Sequence, residues 1–477
     1  MSIYFNGYQT EPVGREQVTI KNPANGEAVG TLYKAAKGDG RRILENSREG
    51  FLAWSAKPMY ERTDILMKYV ELLGENKERL GNLLCREMGK IISEAMGEAV
   101  GTANISKAFI QHANHLYGKV FGDYQPGAEH DLVFTRREPL GTILCIVPFN
   151  FPLELYAHKV IPALIMGNAV IIKVPSGNPL ALIEMTKLLV EAGVPAGAAQ
   201  VIYSDREFVT EEIIKTDGIQ AVSLTGSTAA GIAVQRDSAP FLHRVFLELG
   251  GNDALIICED ADIDYAVEQI YWGRLFNVGQ TCCASKRFLV HRSIHDVLVE
   301  KLCARIDKMR RGDPSDTATE FGCMHAASAA RTVYEQVQQL QKDGAKLVYG
   351  GTLKNETFLE PAVLTNVTRD MEVAKDLEIF GPVIPIIAFD TTEEAIEIAN
   401  QSMFGLMAGV VTRDALKGLQ ICRQLEAGGV VANGNGCYRH FDMPYGGYKK
   451  SGIGREGVSS TLEEFSQEKT YVLHGVF

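Results

Sequence analysis

Two doubly wound α/β domains, with a small β element set apart from both, are what this sequence predicts, and three observations carry the prediction. The chain has 477 residues, well beyond one ordinary hydrophobic core. Strand-like and helix-like stretches alternate between Gly141 and Leu249, the βαβ rhythm of a parallel sheet. A second alternating block runs from Ala254 to about Val431, long enough to be a domain of its own.

Taken in order, residues 1–34 read as short strands and turns at a domain edge, punctuated by Asn22-Pro23 and Asn25-Gly26. Over residues 41–117 apolar side chains recur at three and four, as in Ile65, Leu66, Tyr69, Val70 and Leu73. That spacing predicts two or three long helices, with Pro58 dividing the first from the second. Residues 122–137 are polar and turn-rich before short alternating runs begin, which suits a hairpin leaving the main body. Strands follow at 142–147, 169–174, 199–203, 218–224 and 242–247, with helices between them, the first two starting near Leu153 and Pro179. In the second block, Ile294, Val297, Leu298, Leu302, Ile306 and Met309 mark an amphipathic helix. Residues 467–477 alternate weakly as an end strand with no partner of its own, which invites pairing elsewhere.

Composition narrows the function. A formal charge of −11, without a basic run interleaved with aromatics, gives no electrostatic reason to bind nucleic acid or an anionic membrane. Nine cysteines form no CxxC pair, and their odd number speaks against a disulfide framework, so a reducing cytoplasm is expected. The N-terminal residues carry no export signal, and the most apolar segment, 160–174, is broken by Asn168 and Lys173, so no membrane span is expected. Asp260-Ala261-Asp262-Ile263-Asp264 opens like a calcium loop, but Tyr265 and Tyr271 stand where Gly and Glu are required. It reads as a helix N-cap instead. With no zinc spacing either, no metal is expected. Small-molecule chemistry is favoured.

The chemistry centres on residues 277–287, which offer Cys282 beside small residues and amides with no nearby histidine. A cysteine acts as a nucleophile only as thiolate, a form that backbone N–H groups, a helix N-terminus or a cation can favour. Without such help a Cys282-Cys283 pair before a strand is inert core. Other motifs are equally two-sided. Residues 225–231 form a glycine-containing strand-to-helix turn, with Gly226, Ser227 and Gly231, fit for a phosphate or for close packing. Lys173 ends a strand, as a ligand-binding cation or a solvated one. Glu248 ends an apolar strand, where desolvation would raise it toward a general base, or is a bland strand-end acid. Asn150, bracketed by Pro148 and Pro152, suits an oxyanion donor or a turn cap. Glu378 could accept ribose hydroxyls or lie exposed.

Taken together and in order, these segments resemble the NAD(P)-dependent aldehyde dehydrogenase superfamily over essentially the whole chain. The matching stretches are Pro148-Phe149-Asn150-Phe151-Pro152, Lys173, Gly226-Ser227-Thr228 with Gly231, and Glu248-Leu249-Gly250-Gly251. They continue with Gly279-Gln280-Thr281-Cys282, Glu378-Ile379-Phe380-Gly381-Pro382, and Pro444-Tyr445-Gly446-Gly447 through Ser451-Gly452-Ile453-Gly454-Arg455-Glu456. The resemblance implies the family fold, with residues 1–121 and 139–250 as the dinucleotide-binding domain and 251–450 as the catalytic domain. Residues 122–138 and 451–477 become oligomerisation and bridging elements of a homodimer or homotetramer. It also implies that Cys282, two residues after Gln280, attacks an aldehyde, with Asn150 and the Cys282 N–H meeting the oxyanion. Glu248 then activates the water that hydrolyses the thioester, backed by Lys159 and Glu456 as a proton relay. Val147, Pro148, Phe149, Lys173, Ser176, Gly226, Ser227, Leu249, Glu378 and Phe380 would contact the cofactor.

The chain departs from the family pattern at informative points. Ser176 stands where a glutamate usually holds the adenosine ribose; a carboxylate would repel a 2′-phosphate and a hydroxyl does not, so NADP is slightly favoured over NAD. Phe149 replaces the commoner Trp, and Asn252 and Asp253 replace the usual Lys and small residue. Near the tunnel mouth, Arg439 and His440 resemble the placement in relatives acting on lactaldehyde-like or other short polar aldehydes. A guanidinium suits a carboxylate or phosphate at the far end of such a substrate, unless Asp442 pairs with it. His158 before Lys159, where many succinate semialdehyde dehydrogenases carry Arg, weakens that assignment. Two alternatives remain, a CoA-acylating relative and a non-catalytic member of the fold. Glu248 counts against the first, and the joint presence of Cys282, Glu248 and Asn150 against the second.

Overall fold

The computed structural model describes residues 15–122 and 124–477, together with the short strands Tyr4–Phe5 and Tyr8–Gln9. The part of the N-terminal reading that falls on residues 1–3, 6–7 and 10–14 lies outside the described residues, as does position 123. The Asn22-Pro23 and Asn25-Gly26 turn joins the strands Gln17–Lys21 and Ala28–Tyr33 into a hairpin. The helical layer holds four helices, Asp39–Ser55, Met59–Glu75, Lys77–Met88 and Ile92–Ala113, instead of two or three. Pro58 caps the second as expected. The uncounted break falls at Asn76, whose side chain bonds back to the Leu72 carbonyl, so apolar periodicity runs across it with no Pro to mark it.

The first sheet is six-stranded, in the order Gly452–Ile453, Arg244–Glu248, Ala221–Thr225, Thr142–Ile146, Ala169–Lys173 and Ala199–Ile202. All neighbours are parallel except the first pair. The order reverses between Thr142–Ile146 and Ala221–Thr225, which opens a ligand crevice beyond their C-terminal ends. The second sheet has seven strands, with Ser285–His291, Asp253–Ile257 and Met407–Val411 at its centre. Each sheet has its own apolar core. In the amphipathic helix His295–Asp307, Leu298, Leu302 and Ile306 are buried, but Val297 is 48% exposed and lies outside the apolar stripe assigned to it.

Only residues 249–252 connect the last residue of one sheet's strand, Glu248, to the first of the other's, Asp253. The chain thus passes from the C-terminal edge of the first sheet to the N-terminal edge of the second, and the chemistry collects at that crossing. The end strand finds its partner inside the chain: Ser466–Leu473 pairs antiparallel with Leu132–Pro139, which also carries Val120–Phe121. Gly452 pairs with Glu248, so residues 454–456 are delivered beside the end of the strand that bears that acid. Asp262 caps the helix Ile263–Leu275 through the Tyr265 amide, as its sequence suggested. Among the described residues no helix is long and apolar enough to cross a membrane.

Candidate active site

Glu248 is held by its backbone. The Gly226 amide donates to its carbonyl at 3.0 Å, and Leu249 donates to the Ser451 carbonyl at 3.0 Å. Its side chain is buried, and neither carboxylate oxygen has a hydrogen-bond partner. Burial drives its pKa well above the carboxylate range, with Cys282 and Glu456 adding to the effect against Lys159 and Arg439. Glu456 lies behind it, with Oε1 2.9 Å from Lys159 Nζ and 3.4 Å from the Thr225 hydroxyl. Burial alone would raise Glu456 too, but Lys159, His158 and Arg439 bring it down to about 2. Between these two acids lies a cavity of about 20 Å³ lined in part by Lys159, Tyr445 and Glu464, room for one water.

Cys282 enters from the second sheet on a strained approach. Asn277, Val278 and Gly279 all have left-handed backbone, with φ of 50°, 56° and 73°. A β-branched residue there is rare and persists only when its surroundings enforce it. A Cβ at Gly279 would press on the Gly381 carbonyl at 2.6 Å. The loop is pinned by His325, whose backbone N–H donates to Gln280 Oε1 at 3.0 Å and whose Nδ1 lies 2.8 Å from the same oxygen. Cys282 Sγ lies 3.1 Å from the Tyr445 hydroxyl, while Lys286 Nζ donates to the Cys282 carbonyl at 2.5 Å. The adjacent Cys283 and burial push the Cys282 thiol up, opposed by Tyr445 and Lys286. Cys283, Leu406, Met407 and Tyr445 form a small apolar cluster of their own around it.

Asn150 joins the two sheets at this point. Its Nδ2 donates to the Gln280 carbonyl at 3.0 Å, and its own carbonyl accepts from Lys90 Nζ at 2.8 Å and Asn277 Nδ2 at 3.0 Å. Lys90 is fully buried, ion-paired with Glu98 and 3.7 Å above the Phe151 ring. The segment before the helix Pro152–Ile165 is therefore clamped onto the cysteine loop, with the Asn150 amide bonded two residues before Cys282.

On the cofactor side, Val147 follows the strand Thr142–Ile146, and its N–H donates to the Lys173 carbonyl at 3.0 Å. Pro148 leads into Phe149, whose ring stacks on His325 at 3.7 Å and meets Phe380 edge-on at 6.0 Å. Lys173 is largely buried, which lowers its pKa, and among the described residues it has no carboxylate within salt-bridge distance. Ser227 caps the helix Thr228–Ser238 through the Ala230 amide at 3.3 Å, and Gly231 lets Leu249 approach where a Cβ would not. Gly226 and Ser227 follow the strand beside the point where the order reverses and Lys173 ends a strand two places along, a setting whose N–H groups and, among the described residues, unpaired amine fit the phosphates and ribose of a dinucleotide. Ser176 is exposed, and its carbonyl accepts from the Tyr203 hydroxyl. Glu378 is reached by the Gly251 N–H at 3.1 Å and lies 3.3 Å from Lys286 Nζ.

At the mouth, the Arg439 guanidinium lies 3.6 Å over the Tyr445 ring and 3.7 Å from Glu456. Asp442, the alternative partner, instead accepts from the amide and hydroxyl of Ser459. His440 is exposed and its Nδ1 accepts the Asp442 amide, so the structure turns the arginine of the pair toward Cys282 and gives His440 no contact there. His158 is buried against Phe109, which lowers its pKa to about 4 and leaves it neutral.

Sequence reasoning missed Tyr445, His325, Asn277 and Lys90. Tyr445 stands in plain view within Pro444-Tyr445-Gly446-Gly447, but there it served only as a landmark. Nothing local marks Lys90, although Glu94 and Glu98 follow at helical spacing. Cys258, Glu259 and Asp260 bring ligand atoms within 4.8 Å of one another. Asp260 is already bonded to the Thr412 hydroxyl and the Arg413 amide, and Glu259 to Lys417.

Residues 10–471 match the model of the aldehyde dehydrogenase family. The chain is 34% identical over 474 residues to a 3-sulfolactaldehyde dehydrogenase of Priestia aryabhattai, covering 99% of this chain and 98% of the relative. It is 32% identical over 476 residues to a lactaldehyde dehydrogenase of Methanococcus aeolicus, covering 99% of this chain and all of that one. Among solved structures, glyceraldehyde-3-phosphate dehydrogenase GapN of Methanocaldococcus jannaschii, complexed with NADP, superposes with a TM-score of 0.92 at 32% identity, over 97% of this chain and 100% of that one. The chain belongs to the aldehyde dehydrogenase family, and the reaction it carries out is the oxidation of an aldehyde to its acid with a nicotinamide cofactor.

Proposed function

We propose that the protein oxidises short aldehydes bearing a hydroxyl or an anionic group, of the lactaldehyde, glycolaldehyde or succinate semialdehyde kind. The observation that carries this reading is Arg439, laid across Tyr445 beside Cys282 with one distant carboxylate partner at 3.7 Å. A pocket for long alkyl or aromatic aldehydes would be lined there by apolar side chains. The relatives named for 3-sulfolactaldehyde and lactaldehyde support the same reading. In our mechanism Cys282 attacks the aldehyde carbon, and the Asn150 amide and Cys282 N–H hold the oxygen of the resulting thiohemiacetal. The bound nicotinamide supplies the hydride acceptor. Glu248 then takes a proton from the water that hydrolyses the Cys282 thioester, with the small cavity behind it and the Lys159–Glu456 pair offering the proton's way out. Glu378 and Lys173 would hold cofactor hydroxyls, and the exposed Ser176 leaves room for a 2′-phosphate, which favours NADP. The edge sheet of Val120–Phe121, Leu132–Pro139 and Ser466–Leu473 leaves Val120, Phe121 and Val472 exposed, and we assign it to subunit pairing in a homodimer or homotetramer.

The test compares kcat/KM for succinate semialdehyde, lactaldehyde, hexanal and benzaldehyde on the parent and on Arg439→Ala. Losing a charge-assisted pair should lower the value for the anionic aldehyde about tenfold to a hundredfold more than the value for hexanal. Hexanal as the best substrate, or an equal loss across all four, overturns the substrate class.

A further inference from the structure

The groups facing Cys282 pose a problem for its reactivity. From its own segment come Cys283 and Lys286, from the first sheet Glu248, and from the C-terminal loop Tyr445 and Arg439. Glu248 is acidic, and Cys283 is a thiol pushed up by its Cys437 neighbour and by burial. The Lys286 amine is bonded to carbonyl oxygens and approaches Glu378. Among the described residues no imidazole is bonded to the Cys282 sulfur. The Tyr445 hydroxyl lies within hydrogen-bond distance of the sulfur, at 3.1 Å.

Tyr445 is placed as a donor should be. Its ring is buried, and its backbone is fixed by a reciprocal pair of 2.6 Å hydrogen bonds with Glu456. Arg439 lies flat on the ring at 3.6 Å, where a cation withdraws electron density and makes the phenol a stronger donor. Burial and the neighbouring Cys282, Cys283 and Glu248 hold the phenol protonated far beyond neutral pH, so it stays a donor throughout the working range. We propose that the Tyr445 hydroxyl is a catalytic hydrogen-bond donor to the Cys282 sulfur, which stabilises the thiolate needed for attack against the burial and the neighbouring Cys283 that disfavour it. The thiol proton leaves to solvent before the aldehyde binds, and the sulfur keeps the electron pair with which it attacks. Hydrogen bonds to charged groups are the stronger kind, and a phenol that cannot itself ionise favours the anion without competing for its charge. The arginine then has two tasks, one toward the substrate and one through the ring beneath it.

The proposal rests on Cys282 as the nucleophile, and the experiment separates the two. Iodoacetamide alkylation of the protein without cofactor or substrate is followed against pH, with peptide mapping to identify the modified cysteine, for the parent and Tyr445→Phe. Phenylalanine keeps the ring under Arg439 and removes only the donor. The expected result is a rise of about one unit in the apparent alkylation pKa of Cys282, a rate about tenfold lower at pH 7, and an unchanged plateau at high pH. Superimposable profiles, or a plateau that falls with no shift in pH dependence, overturn the role of Tyr445 and leave Cys282 in place. Modification of Cys283 in preference to Cys282 overturns both. Circular dichroism confirms that the variant is folded, and the pre-steady-state burst of reduced cofactor should slow with KM unchanged, which a merely structural role would not produce.

Discussion

Glu248 and Glu456 border the same small cavity, both buried, yet their surroundings drive them in opposite directions. At the Glu248 end, among the described residues, no donor reaches either oxygen, and burial raises the acid's affinity for a proton, as suits a base that must accept one. At the Glu456 end, Lys159 lies at 2.9 Å and Arg439 at 3.7 Å, and the proton is lost at any ordinary pH. Burial is common to both regions and settles neither; the cation decides. A site that must move a proton gains from that asymmetry, because one acid is poised to change state and the other holds a fixed charge.

The largest effect should come from removing the poised acid. Glu248→Gln is expected to lower steady turnover by about a thousandfold, within the range general base catalysis supplies, while a burst of reduced cofactor persists and the acyl-Cys282 thioester accumulates for detection by mass spectrometry. A variant with neither burst nor thioester would place the role of Glu248 elsewhere.

The fixed charge is probed by Lys159→Met. Stripping a buried carboxylate of its cation costs about 3–5 kcal/mol, so the melting temperature at pH 7 should fall by several degrees. Glu456 sits below its ordinary value in the fold, so its stabilising contribution is present above about pH 4.5 and is lost as pH falls toward 2. Denaturant midpoints measured from pH 7 downward should therefore converge for parent and variant at acid pH. Parallel curves would mean that Lys159 does not set the state of Glu456.

The smallest effect extends the contrast to the surface. If a neighbouring charge outweighs burial, then Ser176→Glu, on an exposed turn, should repel a 2′-phosphate and lower the NADP-to-NAD ratio of kcat/KM by on the order of tenfold or more, since like charges at about 4 Å cost roughly 1–4 kcal/mol between water and a partly shielded site. An unaltered ratio would mean that Ser176 faces away from the ribose.

What could be read in the sequence follows the same division. Strand ends in a doubly wound sheet carry ligands by topology, so alternation and strand length made Lys173, Gly226 and Glu248 candidates, while their roles came from the family resemblance. Cys282 was legible because its spacing from Gln280 is fixed by a loop that no side chain can vary freely. The mouth is different. Whether Arg439 meets Asp442 three residues away or Glu456 seventeen residues away is settled by the Gly452 strand pairing to Glu248, a long-range contact that two residues of sequence do not announce. Tyr445 differs from a phenylalanine by one hydroxyl, and only three-dimensional proximity shows that this oxygen ends on a sulfur. The fourth helix escaped notice because Asn76 breaks the chain without interrupting the apolar stripe.

The crossing at residues 249–252 has a consequence for how the enzyme fails. Asn150 and Glu248 ride on the first sheet and Cys282 on the second, so the distance between thiol, amide and base is the fit between two separately built cores. That fit depends on contacts across the seam, among them the bonds joining Asn150, Lys90, Asn277 and Gln280, those from the Asn277 amide to Glu94, and the Phe149–His325 stack. Each core has far more apolar contact holding it than the seam has hydrogen bonds. Warming or mild urea would loosen the seam first, and turnover would vanish while both sheets still gave their full circular dichroism. The enzyme's useful temperature range is therefore a property of its joint, and hardening either core alone would not extend it.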